Sequence, residues 1–141
     1  MSPNVRVETF AVFPNREDQR RVPDWEGLPT GFDAEAGLAY LRMHLDSPDE
    51  TRRLLAEAGI RLGCLLIRKN ERYGNSALDP IEVFARDISP AQRLGVRMDD
   101  KINRIVRGEG ISGGDSEDPR VDLAGYLLLD IVRSWRDRLD Y

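Results

Sequence analysis

Apolar residues recur every three or four positions in nearly every long segment of this chain, and that spacing confines it to helices. Between 90 and 107, Ala91, Leu94, Gly95, Met98, Ile102, Ile105 and Val106 fill one arc of a wheel turned about 100° per residue. Ser89 and Pro90 supply a cap and a first-turn proline, and Gly108 supplies a stop. From Pro119 to about Arg138, Val121, Ala124, Leu128, Ile131, Val132 and Trp135 share a second arc, with Asp118 placed as its N-cap. Upstream, Ala34, Leu38, Leu41 and Leu45 follow at spacings of four, three and four. "SPDE" at 47–50 reads as a capping box with Ser47 as the cap, opening a helix to about Ala58. Ile60 to Gly74 is helical again, and Gly59 and Gly63 leave open one kinked helix or two. Amphipathic helices bury their stripes only against one another, so the expected fold is an all-α bundle.

A chain of 141 residues suits one domain. Residues 1–32 read as an irregular N-terminal arm, with a short strand at 4–13 and breaks at Pro14, Pro23 and Pro29. The helical domain spans 33–141, with a turn at 75–80, a short helix at 81–88 and a glycine-rich loop at 108–114. That loop lacks the spacing of a P-loop and reads as a helix connector.

Net charge is −4 and the pI is about 5.1. This balance argues against a nucleic-acid partner. No apolar run approaches the roughly 20 residues that span a bilayer, and the N-terminus has no signal-peptide pattern. One cysteine, Cys64, permits no intrachain disulfide and fits a reducing, cytoplasmic setting; it reads as a core residue. A single histidine, His44, excludes histidine-rich metal chemistry.

The polar edges of two helices carry the chemistry. On 90–107, Asp99 and Asn103 border the apolar arc; Arg93, Arg97, Asp100, Arg104 and Arg107 line the polar side; Lys101 lies at the other border. Of 21 basic residues only Lys69 and Lys101 are lysines. The arrangement reads either as a solvated face with pairs such as Asp100 and Arg104, or as a phosphate site. In the second case acids take Mg²⁺ or Mn²⁺ while Arg and Lys hold phosphate oxygens. Asp118 and Asp122 stand one turn apart, which suits a hard divalent cation but also suits a helix N-terminus.

Three blocks in order sharpen the choice: "RKNERYGNS" (68–76), "RMDDKINRI" (97–105) and "EDPRVDLAGYLLL" (117–129). Together, over roughly 60–135, they resemble the nucleotide modification associated domain family of phages, which is similar to the all-α, MazG-like nucleoside triphosphate pyrophosphohydrolases. Lys69, Asn70, Tyr73 and Gly74 match the first motif. Arg97, Asp100, Lys101 and Arg104 match the second, and Asp118, Asp122, Leu123, Gly125 and Tyr126 the third.

The resemblance implies a MazG-like helical bundle that splits a (deoxy)nucleoside triphosphate, with dGTP as a guess, into monophosphate and pyrophosphate. It implies Mg²⁺ or Mn²⁺ on Asp99, Asp100, Asn103, Asp118 and Asp122, with Asp100 and Asp122 catalytic. Lys69, Arg97, Lys101 and Arg104 would contact phosphate, Asn70 would help bind substrate, and Tyr73 would stack on base or sugar. Family sites usually form between subunits, which implies a homodimer or homotetramer. Asn103 and Pro119 stand where MazG-type motifs carry acids. That departure motivates the alternatives of a non-hydrolytic nucleotide-binding module or a phage accessory or counter-defence interaction protein.

Overall fold

In a computed structural model of the chain, the described residues are 33–80, 84, 86–110 and 118–139. They form four helices and no strand: α1 (Ala34–Leu45), α2 (Glu50–Tyr73), α3 (Pro90–Val106) and α4 (Pro119–Leu139). The fold is all-α, as the periodicity requires. The arm at 1–32 with its expected strand, residues 81–83 and 85, and residues 111–117 lie outside the described residues; of the short helix expected at 81–88, the described positions 84 and 86–88 are not helical.

Short polar side chains start each helix. Asp33 caps α1 by accepting from the Ala36 amide at 2.9 Å. On α3 the capping box is complete: Ser89 Oγ accepts from the Gln92 amide at 3.2 Å, and Gln92 Oε1 accepts from the Ser89 amide at 2.9 Å. Asp118 Oδ1 accepts from the Arg120 amide at 2.9 Å at the head of α4. The cap of α2 differs from expectation. Asp49 fills it, accepting from the Arg52 amide at 3.0 Å, and Ser47 Oγ accepts from the Asp49 amide at 3.2 Å. Aspartate caps as well as serine does, so the helix begins two residues later than "SPDE" suggests.

The glycines of α2 do not break it. The helix runs through Gly59 and Gly63 as one element of 24 residues and ends at Gly74, whose φ of +63° favours glycine. Cys64 is exposed rather than core. Two positions from Leu66, it points to the side of α2 opposite the helix's contact with α4.

Helices α3 and α4 make the most extensive contact, α1 packs on α2, and α2 meets α4 over a short stretch. Lys101 reaches Asp122, and one turn back along α3 Arg97 lies over Tyr126, one turn on along α4. That register makes the α3–α4 pair antiparallel. Leu94 and Pro119 are the largest fully buried side chains. Gly125, also buried, lets α2 approach α4: a Cβ there would lie 2.9 Å from Leu66 Cδ2. This close approach brings Lys69 of α2 within reach of Asp122 on α4.

Candidate functional site

The two lysines of the chain meet on one carboxylate. Lys69 Nζ donates to Asp122 Oδ1 at 3.2 Å, and Lys101 Nζ lies 3.2 Å from Oδ2. The side chains are 32%, 15% and 10% exposed for Lys69, Lys101 and Asp122, so the cluster is largely withdrawn from water. Burial alone would push the Asp122 carboxyl up. The hydrogen bonds from Lys101 and Lys69 outweigh it and hold the group below the usual carboxylate range. Asp100 also lies 3.7 Å from Lys101, on the outer side of the cluster.

Above this cluster opens a cleft of about 370 Å³. Its apolar wall comes from Leu65 and Leu66 of α2 and Val121 and Leu129 of α4. Its polar groups are Lys69, Asn70, Asp122, Ser76 and Arg97, with Tyr73 and Tyr126 adding aromatic rings. A few convergent polar groups on an apolar wall, in a volume of this order, are what small-molecule sites offer. The Arg97 guanidinium lies 5.9 Å from the Tyr126 ring centre, and that of Arg72 lies 5.3 Å from the Tyr73 ring centre. Both are cation–π distances.

The turn after α2 forms the rim. Asn70 Nδ2 donates to the Gly74 carbonyl at 3.3 Å and to Asn75 Oδ1 at 2.7 Å. The Leu78 and Asp79 amides donate to the Asn75 carbonyl, and Leu78 is buried beneath. Arg136 of α4 then takes Asp79 with both terminal nitrogens, at 3.0 and 3.3 Å. Asn70 thus shapes the rim as well as lining the cleft.

The structure gathers some expected site residues and scatters others. Lys69, Asn70, Tyr73, Arg97 and Asp122 line one cleft, and Lys101 joins it through Asp122. Arg104 does not; it pairs with Glu109 at 3.8 Å beyond the end of α3. The five expected metal ligands do not converge. Asp99, Asp100 and Asn103 are exposed on α3, and Asp100 lies 3.7 Å from Lys101. Asp118 is held by Arg120 through its side chain and backbone amide, which lowers its pKa. Asp122 is held by the lysines. Among the described residues, no group of three His, Cys, Asp or Glu side chains could hold a metal ion. The described donors therefore do not fit Mg²⁺ or Mn²⁺ as a resident ion: the ammonium groups stand where such an ion's charge would be needed.

The walls, by contrast, were not anticipated. Leu65, Leu66, Ser76 and the Asp79–Arg136 pair belong to the site, but a leucine on a helical stripe or a charge in a turn announces nothing by itself. Gly125 offered one signal: a glycine in the interior of an otherwise strong helix needs a packing reason. Among the described residues no helix is long and apolar enough to cross a membrane. Compared with known protein families, curated proteins and solved structures, the chain matches none of them.

Proposed function

We propose that this chain binds a nucleoside triphosphate in the α2–α3–α4 cleft and hydrolyses it, water adding at the α-phosphorus as pyrophosphate leaves, to nucleoside monophosphate and pyrophosphate. One observation carries the reading. Three blocks far apart in sequence, 68–76, 97–105 and 117–129, each send residues to the same cleft and its basic cluster. Lys69 and Lys101 hold phosphate oxygens, with Arg97 as the third cation. Asp122 holds both ammonium groups in place. A carboxylate held below its usual range is a poor proton acceptor at neutral pH, so Asp122 acts as a positioning group here. The aromatic and apolar walls receive the sugar end of the nucleoside. The reaction class rests on the motif resemblance, with dGTP as the first substrate to try.

Self-association belongs to the same reading, as a homodimer or homotetramer. Its support is the amount of apolar surface the helices leave uncovered. Helix α1 has no buried residue and α2 has only Ala56, while Leu54 and Leu55 of α2 are exposed, Leu55 by 66%. Helices of this length draw most of their stability from a packed apolar face.

The test is a panel of deoxy- and ribonucleoside triphosphates, with Mg²⁺, with Mn²⁺ and with neither, products separated by chromatography. Monophosphate plus pyrophosphate from the wild type, lost in Lys101→Met, supports the reading. A second reading, nucleotide binding without turnover, is favoured by the ion pairs that engage Asp118 and Asp122. Calorimetry separates the two: binding heat with unchanged nucleotide recovered afterwards replaces the first reading with the second. Neither heat nor product across the panel removes both.

A further inference from the structure

A second hollow, of about 240 Å³, opens beside the first and shares Ser76, Ala77 and Arg97 with it. Along α3, Arg93, Arg97 and Lys101 follow at intervals of four. Each step is about 6 Å along the axis, and the three stay on one face. The lysine cluster stands at one end of this row, Arg97 at the boundary between the hollows, and Arg93 in the second hollow. The two hollows therefore adjoin at Arg97, Ser76 and Ala77, with the lysine cluster on the far side of the first.

The second hollow differs in chemistry from the first. Among the described residues its remaining lining is apolar, from Pro80, Ile88 and Val96. Both arginines that border it are fixed in place. Arg93 Nε donates to the Ile88 carbonyl at 3.0 Å, and Arg97 lies over Tyr126. Guanidinium groups are planar and weakly hydrated, and flat aromatic rings stack on them. A phosphate group here would lose water against Pro80, Ile88 and Val96; a flat heterocycle would not suffer that loss.

We infer that the second hollow, bounded by Arg93, Arg97, Ile88 and Val96, is the subsite for the nucleobase. The phosphates lie at the Lys69–Lys101 end, and the sugar bridges the larger cleft past Tyr73. The inference rests on the phosphate-binding reading above and adds the polarity of the bound ligand. It makes the stretch from Ile88 to Val96, outside the three motif blocks except where it abuts Arg97, part of ligand recognition.

The experiment compares each of the four deoxynucleoside triphosphates with inorganic triphosphate by calorimetry. The proteins are the wild type and Val96→Trp, with circular dichroism as the check on folding. Val96 is 64% exposed, so a larger side chain fills the hollow without entering the core. The wild type binds a deoxynucleoside triphosphate more tightly than inorganic triphosphate. In Val96→Trp that advantage falls about tenfold, the scale of one lost base stack, and inorganic triphosphate binds as before. Should the tryptophan disturb α3, Val96→Ala serves instead and weakens only the nucleotide, by about threefold for the methyl groups removed. Nucleotide affinity unchanged in both variants overturns the subsite and leaves the phosphate reading standing. Equal weakening of nucleotide and inorganic triphosphate overturns it too, because the hollow then holds phosphate. If neither probe binds the wild type, the phosphate reading itself fails and the subsite falls with it.

Discussion

Lys69 and Lys101 hold opposite oxygens of the Asp122 carboxylate, each at 3.2 Å, from two different helices. The contact ties α2 and α3 to α4 at one point, so the electrostatics of the site and the packing of the bundle depend on the same three side chains. Removing any one of them leaves charge behind with less compensation, in a place where water reaches poorly.

Asp122→Asn lowers stability at neutral pH by about 1.5–3 kcal/mol, the scale of hydrogen bonds to charged groups. The sign of its pH dependence follows from the depressed pKa. The folded-state value lies below the unfolded value of about 3.9, so the native state favours the ionised form. The stabilisation is fully present above the unfolded pKa and is lost as pH falls through the folded one. Urea unfolding at a series of pH values tests this. The gap between wild type and Asp122→Asn stays constant from pH 7 to about pH 5 and closes in stronger acid. A gap that widens in acid would mean the carboxyl is raised instead.

Gly125→Ala carries two opposing terms. Replacing glycine inside a helix gains about 1 kcal/mol, but the new Cβ lies 2.9 Å from Leu66 Cδ2, and pushing that methyl off its rotamer costs about as much. The single variant is therefore close to neutral. In a Leu66→Ala background the obstacle is gone, and the same substitution stabilises by about 1 kcal/mol. A double-mutant cycle in denaturant reads the coupling directly. Equal effects in both backgrounds would mean that α2 does not press on Gly125.

Much of the fold was legible because helix spacing, caps and stops agree along the chain, most fully from Ser89 to Gly108. Ser47 misled because Asp49, two residues on, caps equally well; Gly59 and Gly63 left one helix or two open, because the preference of single glycines is too weak to decide, and the packed chain runs through both as one. Around the cleft, the motif blocks named Lys69, Asn70, Tyr73 and Arg97, which line it, and Lys101, which reaches it through Asp122. They did not reveal that Lys69 and Lys101 would converge on Asp122, since α2 and α3 meet α4 only through a three-dimensional arrangement. Counting acids suggested a metal; among the described residues Asp122 is instead engaged by Lys69 and Lys101. Arg104 carried the right charge at the right spacing, yet Glu109 beyond the helix end takes it.

The Asp79–Arg136 pair anchors the cleft rim from a half-exposed position, which limits its worth. Arg136→Ala lowers stability by less than about 1 kcal/mol, and less again in high salt. The combined swap of Asp79→Arg with Arg136→Asp restores most of the loss, since the same two positions then carry the opposite charges. Thermal melts at low and high salt check both statements. A loss insensitive to salt, with no recovery in the swap, would assign Arg136 a packing role instead.

The exposed stripe on α2 gives the last expectation. Leu55 stands 66% exposed on a helix whose only buried residue is Ala56. Taking an apolar face of this kind out of water is the main drive for association, at about 25 cal/mol per Å². Light scattering on the full chain therefore gives a mass above the 16.0 kDa of one copy. Leu55→Glu places a charge in the buried face and returns the mass toward that of the monomer, because an unpaired carboxylate is costly to desolvate. Circular dichroism of the variant separates loss of partner from loss of helix. If the wild type runs as a monomer at high concentration and Leu55→Glu melts at the same temperature, α2 is stable with its stripe in water, and self-association drops out of the functional reading.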